Sequence, residues 1–328
     1  MAGEKPVLVV GATGYLGGQV VDQLLTHGKP VRALVRDASD PSKLQAKGVE
    51  IARGDMLDVG SLIQAMTGVD AVISTAAGYT RNDKNAEAID TFGNNNLAVA
   101  ANHAGVRRFV LISILTSDQT PQVPHFWHKK LAEDKLQELG VPFVALRPGA
   151  FFDQIVGMRG DPFQKGRIMW FGRKDVPLTF VLTSDLAQYL AAAVDADTAD
   201  GERIDIGWTR PVSMLEAAKM LSRHIGKTPG LSETKRTAPA TRTPDAGGAG
   251  SADADSADIK VTSIPTPVLQ FAGKVTSRFA PLVGDMASMS AWFETGRYVA
   301  HTARQAEVFG PVPTPEEAIA RFAAKYGR

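Results

Sequence analysis

Four apolar residues, Val7-Leu8-Val9-Val10, run directly into Gly11-Ala12-Thr13-Gly14-Tyr15-Leu16-Gly17-Gly18, and this junction restricts the fold more than any other stretch of the chain. A buried strand, a glycine-rich turn and a helix start, in that order, describe the first βα unit of a dinucleotide-binding sheet. The three glycines have separate tasks in such a unit. Gly11 permits the tight turn, Gly14 lets the backbone approach a pyrophosphate, and Gly17 allows close helix–strand packing. Backbone amides at the helix start, at the positive end of its dipole, then form an anion site. Gly11, Thr13, Gly14, Tyr15, Leu16 and Gly17 are therefore the first candidate cofactor-binding residues.

The rhythm that follows agrees. Short apolar runs at 7–10, 31–35, 50–53, 71–74, 109–113 and 143–147 alternate with amphipathic stretches at 17–26, 61–66, 94–103 and 129–139. That alternation predicts an α/β fold of the Rossmann type, a doubly wound parallel sheet with helices on both faces. Each helical stretch closes near a glycine (Gly28, Gly68, Gly105, Gly140), the usual left-handed cap. After Pro148 the pattern loosens, with a helix opening at Asp185, a strand at 203–206 and a helix at 213–225.

From 228 to 257 the chain is rich in Ala, Gly, Pro, Ser, Thr and Asp and nearly lacks large apolar side chains, a composition that predicts a flexible insertion. The organisation expected is a dinucleotide-binding domain over 1–150, a small substrate-side region over 151–227, the insertion over 228–257, and a C-terminal segment over 258–328 packing on the substrate side.

Charge and cysteine content exclude several classes. With 36 basic and 35 acidic residues there is no global field to draw in nucleic acid or an acidic membrane. The absence of cysteine removes thiolate chemistry and sulfur-ligated zinc, and His125 and His128 find no further ligands in the sequence pattern, so no metal is expected. No apolar run approaches the roughly 20 residues that span a bilayer. A cytoplasmic location is expected.

Beyond the glycine motif, Arg32 to Asp37, Gly54-Asp55-Met56, Asn94-Asn95-Asn96-Leu97, Gly105 to Ser113 and Leu146 to Phe151 resemble the atypical branch of the short-chain dehydrogenase/reductase superfamily. The likeness is nearest to NmrA-like and isoflavone-reductase-like NAD(P)-binding proteins. It implies that Asp55 and Met56 flank an adenine, that Thr75, Ala76 and Ala77 line the path to a nicotinamide, and that Pro148 and Gly149 lie beside the cofactor. Arg36, at the end of the second strand, stands where an arginine pairs with the 2′-phosphate of NADP; Asp37 beside it leaves NAD open.

The superfamily's Tyr-x-x-x-Lys pair has no tyrosine here. The equivalent segment reads His125-Phe126-Trp127-His128-Lys129-Lys130, and the spacing onward to Glu133, Leu136 and Gly140 puts Lys129 in the place of the family lysine and His125 in that of the tyrosine. Lys130 falls on another face. Three readings stay open. Lys129 binds the ribose or donates a proton, His125 replaces the tyrosine, or the protein binds dinucleotide without turnover. Phe151, Phe152, Trp170, Phe171 and Phe180 follow the sixth strand and suit an apolar, flat substrate such as an enone, quinone or ketone. The function expected is NADP-dependent hydride transfer to such a molecule. The alternative is a non-catalytic NADPH-sensing regulator or scaffold with a protein partner.

Overall fold

A computed structural model describes residues 4–78, 87–225, 258–276 and 281–326. The expected flexible insertion at 228–257 lies outside the described residues.

Seven parallel strands form the central sheet: β1 (Val7–Val10), β2 (Val31–Val35), β3 (Glu50–Arg53), β4 (Ala71–Ser74), β5 (Arg108–Ile112), β6 (Phe143–Pro148) and, after three short outlying strands, β10 (Glu202–Ile206). Their spatial order is β10-β6-β5-β4-β1-β2-β3. Alternate side chains of β1 serve opposite faces, as the period of two requires. Val7 and Val9 join the apolar layer under α1 (Tyr15–Thr26) and α8 (Thr183–Ala192). Leu8 and Val10 join the layer under α3 (Val59–Met66), α4 (Asn94–Ala104) and α5 (Pro124–Glu138). The central strands β1 and β4 are buried at every position and read as nearly continuous apolar runs, whereas the edge strands β3 and β10 carry charged, partly exposed residues.

The expected strands and helices are present with small shifts at their ends. The four capping glycines all take positive φ, 72°, 74°, 60° and 65° for Gly28, Gly68, Gly105 and Gly140. One boundary moves further. The helix expected to begin at Lys129 begins at Pro124, because a proline needs no amide acceptor in the first turn and sets the helical φ there. His125 and Lys129 consequently lie one turn apart on one helix, both buried.

The chain order changes direction at β1. It runs outward through β2 and β3, then returns to the other side of β1 for β4, so the loops after β1 and β4 diverge and leave a crevice between them. A third apolar cluster covers the far end of the sheet. It is built from Phe152, Phe180, Trp170 and Trp208 together with side chains of α11 (Pro281–Glu294) and α13 (Pro315–Tyr326), and α10 (Thr266–Thr276) packs on α11 as the other arm of a C-terminal helical hairpin. The hairpin follows β11 (Lys260–Ile264), which pairs in parallel with β8 (Arg167–Phe171) in a separate two-stranded sheet.

Candidate active site

The glycine turn is held by close contacts that only glycine tolerates. Gly11 sits at φ +85°, and the Gly14 amide donates to its carbonyl at 2.8 Å. A β-carbon on Gly11 would lie 2.6 Å from Thr75 Oγ1, and one on Gly17 would lie 2.1 Å from the Gly11 oxygen. Thr75 locks the facing loop by donating from both its amide, at 3.0 Å, and its hydroxyl, at 2.9 Å, to the Val10 carbonyl. Gly14 caps α1 in extended conformation with no side chain bonded to the first turn, which leaves those amides for an anion.

From this turn a cleft of 480 Å³ extends in both directions. Toward the end of β2 it is lined by Leu34, Arg36, Ser39, Gly54, Asp55 and Met56. Arg36 is exposed, and its guanidinium makes no ion pair among the described residues. Arg53 donates to the carbonyls of Arg36 and Ser39 at 2.8 and 3.1 Å, pinning the loop that presents Arg36. Asp37 does not line the cleft. Asp55 accepts from the Leu57 amide at 2.9 Å, forming the turn that carries Met56 inward.

In the other direction the cleft passes Thr75, Ala76, Ala77 and Gly78 and ends among Ile112, Ser113, Ile114, His125, Lys129, Phe151 and Gln154. The Lys129 ammonium, 4% exposed, donates to the Ala76 carbonyl at 2.9 Å and stands 3.7 Å from Asp90 Oδ1. Asp90 is itself buried in a single π-helical turn, Ala88–Gly93, and accepts from the Gly78 amide at 3.0 Å. Such a turn inserts one residue into the helical ladder and re-aims the side chains around it. Burial pulls the Lys129 pKa below its usual range, and the Asp90 carboxylate draws it part of the way back.

His125 lines the same end, and its Nδ1 lies 2.8 Å from Asp285 Oδ2 of α11. Lys130 points elsewhere, pairing with Asp134 and resting over the Trp127 ring. One turn beyond Lys129, buried Glu133 accepts from Arg147, Arg203 and the Ser113 hydroxyl, so α5 is tied to β5, β6 and β10 at once. Burial works against the Arg147 charge, but its bonds to Glu133 and Asp118 outweigh that and raise its pKa above the usual.

Most of the residues singled out from the sequence meet in this cleft. Pro148 and Gly149 do not line it. The Gly149 amide donates to the Ile206 carbonyl at 2.8 Å, and a β-carbon there would lie 2.4 Å from the Thr179 oxygen. The aromatic expectation needs correction. Only Phe151 reaches the cleft; Phe152, Phe180 and Trp170 are buried with Trp208 and Phe322 in the third cluster, because a position just past a strand end can face either way. Asp90, Gln154 and Asp285 carry no local signal in the sequence. Ser39, three residues after Arg36, is the one that loop composition could have offered.

Residues 3–233 match the model of the NmrA-like family. Over 227 residues the chain is 27% identical to the photosystem II assembly factor Ycf39 of Synechocystis sp., covering 69% of this chain and 70% of that protein. Over 235 residues it is 30% identical to the NAD(P)H azoreductase of Xenophilus azovorans, covering 67% and 74%. Among solved structures, the triphenylmethane reductase of Citrobacter sp. complexed with NADP(H) superposes with a TM-score of 0.71 over 96% of this chain and 99% of that one, at 19% identity, a likeness of fold. No helix among the described residues is long and apolar enough to cross a membrane.

Proposed function

The chain belongs to the NmrA-like family, and from that premise we propose that it binds NADPH and reduces a flat, conjugated, apolar small molecule. The observation that carries this reading is the continuity of the cleft from the exposed Arg36 guanidinium, through the glycine cradle, to the buried Lys129 ammonium. The cradle fits a pyrophosphate, since side chains at Gly11 and Gly17 would fill it and the first-turn amides of α1 are left uncapped. Arg36 would hold the 2′-phosphate, with Ser39 beside it. Asp37, turned away from the cleft, offers nothing to a free ribose hydroxyl, which favours NADP over NAD. Lys129 would hydrogen-bond the nicotinamide ribose.

When bound, the dinucleotide supplies the hydride. What the chain adds is orientation and shelter from water, through Ile112, Ile114 and Phe151 at the end of the cleft. Those walls suit a planar conjugated acceptor. The names of the azoreductase and the triphenylmethane reductase indicate acceptors of that kind for those proteins.

A second reading has its own support. Lys129 already has two internal partners, α5 lacks a tyrosine, and one relative is named as an assembly factor. These features fit a protein that binds the dinucleotide and passes the information to a partner. Following NADPH oxidation with quinones, azo dyes, triarylmethane dyes and enones, alongside a binding titration, separates the two. Turnover with a defined product supports the reductase. Tight binding with no turnover across the panel supports the sensor.

A further inference from the structure

Asp285 approaches the cleft from a hairpin 160 residues beyond His125, and the pair is closed to solvent on both sides, with 9% of the histidine and 12% of the aspartate side chain exposed. A carboxylate can only accept, so His125 Nδ1 is the donor at 2.8 Å. The ring stands edge-on to Phe126, with centroids 4.6 Å apart, which leaves it little freedom to turn. Nε2 is the other nitrogen of a ring that lines the cleft, one helical turn from Lys129. The second oxygen, Asp285 Oδ1, is buried without a hydrogen-bond partner among the described residues. A carboxylate placed so, its charge only partly satisfied, is poorly explained as packing. The α11 hairpin is fixed against the same loop at a second point, where the Trp292 indole donates to Thr116 Oγ1 at 3.0 Å.

We propose that His125 and Asp285 form the proton-delivering pair of this reductase, with His125 as the group that touches substrate and Asp285 as the residue that positions it. The proposal rests on the reductase reading above. Reduction of a quinone takes a hydride from NADPH and a proton. As the hydride is taken up and NADP⁺ is left, the Nε2–H bond of the His125 imidazolium breaks and an O–H bond forms on the substrate oxygen; the neutral ring, its remaining proton on Nδ1, then regains a proton on Nε2 from solvent. Asp285 holds the Nδ1–H orientation throughout, the role a carboxylate plays behind a catalytic histidine in hydrolases. Lys129, one turn along α5, and Asp90, 3.7 Å from it, line the cleft together with His125.

An acceptor that needs no proton isolates this role. A triarylmethane dye cation becomes its neutral leuco form by hydride alone, whereas a quinone needs both. His125→Ala should slow quinone reduction by about 10²-fold or more, and Asp285→Asn by about 10-fold or more, with KM and NADPH binding little changed. Dye reduction should fall much less, so that the ratio of quinone to dye turnover drops by about 10-fold or more in each variant. Independently of any turnover, the imidazole nitrogen NMR signals of the dinucleotide-free protein, recorded at a pH that leaves the ring neutral, should show His125 carrying its remaining proton on Nδ1. Asp285→Ala should return it to the Nε2–H form preferred in free histidine.

Equal slowing of both acceptors, or of neither, overturns the pair while leaving the reductase reading intact. A histidine already protonated on Nε2 alone in the wild type overturns it as well. If the wild type reduces neither acceptor, the reductase reading fails and the proposal falls with it.

Discussion

A β-carbon at Gly17 would lie 2.1 Å from the carbonyl oxygen of Gly11, so these two residues are in contact through bare backbone. The obstructing atom is main chain and cannot rotate away. Gly17→Ala should therefore displace the turn, cost about 1–3 kcal/mol in stability, and lower dinucleotide affinity at least about 10-fold. Denaturant unfolding and calorimetric titration check both parts; an unchanged affinity would mean the turn does not hold the pyrophosphate.

Arg36 is the second test. Charge-assisted bonds to a 2′-phosphate are worth about 1.5–3 kcal/mol, and NADH has only a hydroxyl at that position. Arg36→Ala should weaken NADPH about 10- to 100-fold and leave NADH nearly unchanged. Arg53→Ala, which frees the Arg36–Ser39 loop, should have a smaller effect in the same direction. Wild-type affinities that are equal for the two dinucleotides would remove Arg36 from the account.

Lys129 and Asp90 should behave as a coupled pair. Lys129→Met strands a buried carboxylate and should destabilise the protein by about 3–5 kcal/mol, while adding Asp90→Asn should recover part of the loss. The sign of the pH dependence follows from the lowered pKa of the folded lysine. The native state gives up this proton at a lower pH than the unfolded chain, whose lysine titrates near 10.5. This residue's contribution to stability is therefore flat below the folded pKa and rises with pH from there to about 10.5. Urea midpoints of wild type and Lys129→Met across neutral to alkaline pH should diverge in that direction; parallel curves would contradict the burial argument.

Glu133→Gln should be among the costlier single changes, because two guanidinium groups, Arg147 and Arg203, would lose their shared carboxylate. Loss of one partner of a buried pair costs about 3–5 kcal/mol. Since Glu133 fixes α5 one turn from Lys129, dinucleotide binding should weaken as well. A drop in denaturation midpoint without any change in binding would confine Glu133 to stability.

Much of the sheet was legible because its signals are local. Runs such as Val7–Val10, apolar throughout, and Ala71–Ser74, apolar but for its last residue, are four residues long and buried at every position. The glycine cradle and Arg36 were legible for the same reason, each being tied to one strand end. Asp90 and Asp285 were not. Asp90 lines the cleft and Asp285 bonds His125 at its edge, each from an element brought there only in three dimensions, and an isolated aspartate in a helix looks like any solvated charge. The aromatic residues after β6 show the opposite error. Phe152 and Phe151 are neighbours in sequence, yet one is in the core and the other on the cleft, and apolarity alone does not separate them.

The hairpin whose Asp285 bonds His125 also sets an order of events. Its ties to α5 and to the loop before it join residues 160 apart (His125 and Asp285) and 176 apart (Thr116 and Trp292), whereas the first βα units close over a few tens of residues. Loop closure grows costlier with length, and distant contacts form late in chains of this size. A refolding chain should thus regain the glycine cradle before the wall made by α10 and α11 is in place. Trp292, buried only once that wall is in place, makes its fluorescence the natural clock for the last step.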